Sequence, residues 1–168
     1  MSNANQVSHE DALTLAQKHH QAGNLTLADR VYRDILKVIP NDFTSLHYLA
    51  VIAYQNGNAD EGLTFIKKAL EEKEDFPDSW NTYATLLALK GDNEQGIEKW
   101  KKALELKPDY PEALSNMGNA YWELKQYEKA LETCKKAIEI NPEYASVYIN
   151  LGNAYASLGQ REKAITIW

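Results

Sequence analysis

Residues 111–142 read PEALSNMGNAYWELKQYEKALETCKKAIEINP, and the same pattern returns along most of the chain. Pro77, Pro111 and Ala145 occupy equivalent positions, because 111 − 77 and 145 − 111 both equal 34. Two further steps back reach His9. A fixed period of this length indicates stacked copies of one supersecondary unit. The repeats are 9–42, 43–76, 77–110, 111–144 and, in part, 145–168.

Two columns of small residues run through these repeats. The eighth position holds Ala16, Ala50, Ala84, Gly118 and Gly152. The twentieth position holds Ala28, Gly62, Gly96, Ala130 and Ala164. Because helices approach closely only where side chains are small, each repeat is predicted to be two amphipathic helices that cross at these positions. Large apolar residues, including Trp80, Trp100 and Cys134, are predicted to fill the space around the crossings.

These patterns predict an all-α fold of nine helices plus at most a short extra turn, with no strand. Residues 1–8 are expected to be a disordered tail, and residues 9–168 a single repeat domain. The turns inside the repeats are expected near Gly23, Gly57, Gly91, Lys125 and Gly159.

The spacing of the columns resembles that of the tetratricopeptide repeat (TPR), a helix-turn-helix unit. The matching residues are Trp80, Gly91, Trp100, Ala103 and Pro108 in the third repeat, and Gly118, Tyr121, Ala130, Ala137 and Pro142 in the fourth. The resemblance implies a right-handed α-solenoid of about four and a half to five repeats, whose first helices line a peptide-binding groove. Glu74 stands where the family has a closing proline, and Lys125 where it has a turn glycine.

Composition argues against several classes of function. A net charge of −6 and a pI of about 5.2 do not suit a protein that binds the nucleic-acid backbone. No apolar run is long enough to insert in a membrane. The single cysteine and the lack of a signal-peptide pattern in residues 1–8 favour a reducing, cytoplasmic location.

Nothing in the sequence predicts catalysis, a metal site or a cofactor. The four histidines, His9, His19, His20 and His47, lack the spacing of metal ligands. His19 occupies the eleventh position of its repeat and is expected to be a buried structural residue. Cys134 has no histidine at a suggestive spacing, so a core position is expected. The chain is therefore predicted not to be an enzyme.

The candidate site follows from the resemblance, which implies that positions two, five, six, nine, twelve and thirteen of each repeat face the groove. None of these positions holds Lys or Arg, which argues against a clamp for a terminal carboxylate and predicts a weak salt dependence of binding. The candidates for peptide contact are His20, His47, Tyr48, Tyr54, Asn81, Asn116, Asn119, Trp122, Asn150 and Asn153.

The pattern Asn-x-Gly-Asn occurs at 116–119 and 150–153. An asparagine amide both donates and accepts hydrogen bonds, so a column of them suits the backbone of an extended peptide. This resembles the asparagine-lined superhelix of O-linked N-acetylglucosamine transferases. The alternative is that these asparagines belong to a general repeat consensus and bind nothing. The aromatic candidates are likewise either peptide anchors or residues packed against a neighbouring repeat.

The sequence therefore favours a protein-interaction scaffold that binds a peptide or helix of a partner of unknown identity. One alternative is a substrate-recognition or oligomerisation arm of a longer enzyme, such as a glycosyltransferase. Another is a self-assembling structural piece. The partial last repeat predicts either a fragment of a longer protein or an edge that another subunit covers. A homodimer through this edge would use Ile165, Ile167 and Trp168.

Overall fold

The computed structural model describes residues 8–167, which contain ten α-helices and no strand. The chain divides into two compact units, Met1–Glu74 and Asp75–Trp168. The helices of unit 1 are α1 (His9–Gln21), α2 (Leu25–Val38), α3 (Phe43–Gln55) and α4 (Ala59–Glu72). The helices of unit 2 are α5 (Pro77–Leu89), α6 (Asn93–Leu106), α7 (Pro111–Glu123), α8 (Tyr127–Ile140), α9 (Ala145–Ser157) and α10 (Arg161–Ile167).

Unit 1 consists of two helix hairpins, α1–α2 and α3–α4, joined by contacts between α2 and α3. Two of its helix starts carry side-chain caps, which satisfy backbone N–H groups that a helix leaves without partners. Ser8 accepts a hydrogen bond of 3.1 Å from the backbone N–H of Asp11. Asp42 accepts one of 2.7 Å from the N–H of Ser45. One cluster of buried apolar residues in this unit contains Ala16, Ala28, Tyr32, Ile35, Leu49 and Ile52.

Unit 2 consists of three hairpins, α5–α6, α7–α8 and α9–α10. The second helices α6 and α8 each contact the first helix of the next hairpin, and α7 also contacts α5 and α9. Trp100 and Cys134 are fully or almost fully buried in its core, and Trp80 packs against that core. The predicted packing role of these three residues is therefore confirmed.

The small-residue columns are buried at all ten positions, as the sequence predicted. At Gly118, a Cβ atom would lie 2.7 Å from Cys134 Sγ. At Gly96, it would lie 3.1 Å from the carbonyl oxygen of Ala84. A Cβ atom at Gly118 would therefore force the Cys134 side chain to move, and one at Gly96 would push on the backbone of α5.

The five predicted turns are confirmed. Four of them contain a glycine with positive φ, between +74° and +85°. Lys125 adopts φ +59° at the corresponding position of the fourth repeat. Because a Cβ atom is disfavoured in this left-handed region, Lys125 is a strained substitute for glycine.

The structure differs from the sequence prediction at both ends. The short extra turn expected after nine helices is a helix of seven residues, α10. The sequence places Ser8 in the tail, but this residue caps α1, and residues 1–7 lie outside the described part of the chain. The single domain over residues 9–168 stays a prediction.

Candidate functional site

Two lateral hydrogen-bonded contacts join the first helices α7 and α9 in unit 2. The side-chain nitrogen of Asn150 donates to the backbone oxygen and to the hydroxyl of Ser115, at 3.1 Å each. The indole N–H of Trp122 donates to the hydroxyl of Ser157 at 2.8 Å. On each helix the two bonding residues are seven positions apart, so they share one face. The bonds therefore join α7 and α9 at two points along their length, and the two helices form one surface.

Three asparagine side chains lie on this surface and are called the amide strip: Asn116, Asn119 and Asn153. Asn119 is exposed, and the other two are half-buried. Within residues 8–167 these three side-chain amides form no hydrogen bond, whereas the neighbouring Asn150 forms two. The amide strip can therefore donate to and accept from a ligand without breaking a bond inside the protein.

Asn81, the remaining asparagine candidate, has a structural role on α5. Its side-chain oxygen accepts a hydrogen bond of 2.9 Å from the indole N–H of Trp100. Nearby, the Tyr110 hydroxyl donates to Asp78 at 2.7 Å. Burial and this hydrogen bond raise the pKa of Tyr110, so its hydroxyl stays protonated. Asn81 therefore has a partner inside the protein. The other candidates of unit 2 lie together on α7 and α9: Asn116, Asn119, Trp122, Asn150 and Asn153.

The candidates of unit 1 form an aromatic cluster around Tyr48. Its ring is stacked on that of Tyr32, with centroids 5.5 Å apart, and contacts the rings of His20 and His47 edge-on, at 5.3 Å each. His47 is only 8% exposed. Tyr54, by contrast, is 41% exposed. Most of these side chains are therefore engaged with one another.

A lateral contact like those of unit 2 joins α1 and α3. His20 Nε2 lies 3.2 Å from Gln55 Oε1, a hydrogen bond when Nε2 carries the proton. His19, which the sequence placed in the core, is only half-buried. The reason is that α1 begins the stack of unit 1 and packs mainly against α2.

Neither a thiol nucleophile nor a metal cluster is evident in the described part of the chain. Burial raises the pKa of Cys134 to about 12, so its thiol stays neutral. Among residues 8–167, no three His, Cys, Asp or Glu side chains are placed to hold a metal ion. No helix in the same range has the length and apolar character needed to cross a membrane.

The predicted self-association edge is described in part. Ile165 on α10 is 72% exposed. Ile167 is half-buried and packs against the core of unit 2. Trp168 lies outside the described residues.

The sequence singled out His20, Trp122 and Asn150 as candidates for peptide contact, but it did not predict their lateral hydrogen bonds to Gln55, Ser157 and Ser115. Ser115 and Asn150, Trp122 and Ser157, and His20 and Gln55 are each 35 positions apart. Because the repeat period is 34, each of these bonds joins a residue of one repeat to a residue of the following repeat that lies one position further along. A search for polar pairs at this spacing would have found all three.

Four sequence models of the tetratricopeptide repeat match the chain, at residues 13–79, 84–125, 111–144 and 133–166. No curated protein sequence matches it.

Solved structures show the same fold. A chain of MamA from Desulfovibrio magneticus RS-1 that begins at residue 41 aligns with a TM-score of 0.82 and 17% identity, over 96% of this chain and 92% of that chain. A thermophilic TPR protein from Thermus thermophilus aligns with a TM-score of 0.80 and 20% identity, over 95% and 88% of the two chains. YrrB, described as a TPR protein with an unusual peptide-binding site, aligns with a TM-score of 0.74 and 20% identity, over 97% and 84%.

At these identities the structural likeness shows the fold alone. The same repeat architecture is indicated by the sequence matches, the ten helices and the buried columns of small residues. The predicted all-α solenoid class is therefore confirmed for the described residues. The chain is built from tetratricopeptide repeats and belongs to that family of proteins.

Proposed function

We propose that unit 2 is a scaffold that binds an extended peptide segment of a partner protein across α7 and α9, without catalysis of its own. The observation that carries this proposal is the amide strip. Its three side-chain amides have no hydrogen-bond partner among residues 8–167, although the flanking polar side chains do. An extended peptide needs such partners, because its backbone presents N–H and C=O groups along its whole length.

The flanking hydrogen bonds prepare this surface for binding. The bonds from Asn150 and Trp122 hold the two helices in register, so the backbone that carries the amide strip is ordered before a ligand arrives. Preorganisation of this kind improves affinity because less conformational entropy is lost on binding. Trp122 also adds a half-buried aromatic surface to α7. Aromatic residues in such positions often supply much of the energy of an interface.

The likeness to the asparagine-lined superhelix of O-linked N-acetylglucosamine transferases belongs to the same proposal. It rests on Asn116, Asn119, Asn150 and Asn153, of which Asn150 holds α9 against α7. The other three would contact the peptide. A chain that served a longer enzyme as a recognition arm would use the same surface.

The proposal is tested with fluorescent, terminally blocked peptides composed of Ala, Ser, Thr and Val, whose affinities are measured by anisotropy. The double variant Asn119→Ala/Asn153→Ala removes two amides that have no internal role. At about 0.5–1.5 kcal/mol for each hydrogen bond, we expect roughly a tenfold loss of affinity. The matched control is Asn58→Ala, because Asn58 is an exposed asparagine in unit 1 whose side chain forms no cap hydrogen bond.

Asn150→Ala is kept apart, because it also removes the lateral bonds to Ser115 and is expected to loosen α9. If the double variant keeps its helicity and binds the best peptide as tightly as the parent protein, the amide strip is not the binding site. Failure of every peptide to bind saturably, the lysine-containing peptides described below included, would overturn the proposal as a whole.

A further inference from the structure

A stripe of four polar side chains runs along α7 and has a carboxylate at each end. The residues are Glu112, Asn116, Asn119 and Glu123, at intervals of four, three and four positions, which places them on one helix face. Within residues 8–167 neither glutamate forms an ion pair. Lys125, the nearest cation in sequence to Glu123, lies in the turn after α7 and forms none with it.

The charges of unit 2 are separated between its two sets of helices. The first helices α5, α7 and α9 contain three carboxylates, Asp78, Glu112 and Glu123, and no Lys or Arg. The lysines of the helices in unit 2 lie on α6, α8 and α10. At the Glu112 end, Asp78 accepts a hydrogen bond from Tyr110, and Lys107 Nζ lies 4.0 Å from the centroid of the Tyr110 ring. The binding surface therefore has a negative charge that its own helices do not neutralise.

We propose that the peptide bound by unit 2 is basic and carries two cationic side chains, one placed on Glu112 and the other on Glu123. The inference rests on the proposed function, because the amide strip would hold the backbone between these two contacts. The eleven positions from Glu112 to Glu123 span about 16 Å of helix, at about 1.5 Å each. An extended peptide covers this distance in about five residues. The two cations are therefore spaced about five residues apart.

Trp122 supports a cation at the Glu123 end of the surface. Its indole N–H is held by Ser157, so the ring has a fixed position next to Glu123 in sequence. A lysine or arginine that contacts both the ring and the carboxylate gains a cation–π contribution as well as an ion pair. An acidic peptide, in contrast, would be repelled by both ends of the stripe.

The inference is tested with the complete chain and three fluorescent peptides that share one Ser/Thr/Ala framework. The first carries two lysines five residues apart, the second carries the same lysines side by side, and the third carries glutamates in place of the spaced lysines. We expect the spaced basic peptide to bind at least about tenfold more tightly than the acidic one, and more tightly than the peptide with adjacent lysines. The sequence predicts a weak salt dependence for the uncharged backbone contact, but the two charge contacts should make the affinity of the spaced basic peptide fall between about 0.1 M and 1 M salt, as the Debye length shortens from about 10 to about 3 Å.

Variants locate the charge contacts. Glu112→Gln and Glu123→Gln should each weaken the spaced basic peptide about three- to fivefold, and together about tenfold or more. The matched control is Glu139→Gln, an exposed glutamate on the second helix α8 of the same unit. It should leave the affinity unchanged. Circular dichroism confirms that the variants keep their helices.

The outcomes separate this inference from the proposed function. If the uncharged peptides that test the proposed function bind as tightly as the spaced basic peptide, and both are weakened by Asn119→Ala/Asn153→Ala but not by the glutamate variants, the basic preference is wrong and the amide strip stands. If the glutamate variants weaken binding and the asparagine variants do not, the charge contact stands and the backbone contact falls. Equal binding of the spaced and adjacent lysine peptides would overturn the two-point contact.

Discussion

The surface of α1 and α3 in unit 1 and the surface of α7 and α9 in unit 2 are built on the same repeat but differ in what their side chains do. The sixth position of the second repeat is Tyr48, whose ring contacts three other rings. The sixth position of the fourth repeat is Asn116, whose side chain has no hydrogen bond within residues 8–167. In the second repeat the position contributes to packing, and in the fourth repeat it is available to a ligand.

The difference shows that the repeat imposes packing at some positions and leaves others to function. The eighth and twentieth positions are small in both units because the helices cross there. The sixth position lies away from the crossing and tolerates either an aromatic ring or an amide. A peptide site in this fold is therefore recognised by polar side chains that the fold itself does not use.

The largest expected effect compares the two residues at the sixth position. Tyr48→Ala should destabilise unit 1 by about 2–3 kcal/mol, because it removes a large half-buried ring and its aromatic contacts. Asn116→Ala should change the stability of unit 2 by less than about 0.5 kcal/mol, since no internal hydrogen bond is lost. Native-state hydrogen exchange measures the stability of each unit separately. Equal costs at the two positions would remove the distinction between the surfaces.

A somewhat smaller effect is expected at the helix crossings. Gly118→Ala should destabilise unit 2 by about 1–2 kcal/mol, because the overpacking against Cys134 exceeds the gain of about 1 kcal/mol in helix propensity. Adding Cys134→Ala should recover most of the loss. In unit 1, the corresponding Ala50 already has a buried Cβ atom, so Ala50→Gly should cost about 1–2 kcal/mol through lost helix propensity and lost burial of the methyl group. Denaturant titrations measure all three changes, and a stabilised Gly118→Ala variant would contradict the close approach.

The smallest effect concerns the turns, where unit 1 has Gly57 and unit 2 has Lys125. Lys125→Gly should stabilise unit 2 by about 0.5–1 kcal/mol, because relief of the strained backbone exceeds the entropy that glycine adds to the unfolded chain. Gly57→Lys should destabilise unit 1 by about 1 kcal/mol for the same reason. Thermal melts followed by circular dichroism measure both, and shifts of the same sign would show that the two turns are not equivalent.

Most of the fold could be predicted because it follows from sterics. The small columns predicted the helix crossings, and the repeat register predicted the turn at Lys125 although the residue is not glycine. The length of α10 was underestimated, and the division after Glu74 is not marked by the period, which continues unchanged. Glu74 itself was noted only because it replaces the closing proline.

The candidate site could be predicted only in part. Its asparagines were found from their repeated pattern, but the sequence could not separate Asn81 and Asn150, which have internal partners, from the three that do not. That distinction depends in part on lateral hydrogen bonds between helices, whose spacing differs from the repeat period by one residue. The sequence likewise shows the carboxylates of α7, but only the structure shows that they form no ion pair within residues 8–167.

The most direct test of the central claim is a nuclear magnetic resonance titration that follows the side-chain NH₂ signals of the asparagines as a short blocked peptide is added. The account predicts that the signals of Asn116, Asn119 and Asn153 shift and gain protection from solvent exchange, because these amides acquire hydrogen-bond partners. The signals of Asn81 and Asn150 should change less, since both side chains are already hydrogen-bonded. Shifts confined to the aromatic cluster of unit 1, or saturable binding that leaves the amide strip unchanged, would contradict the claim.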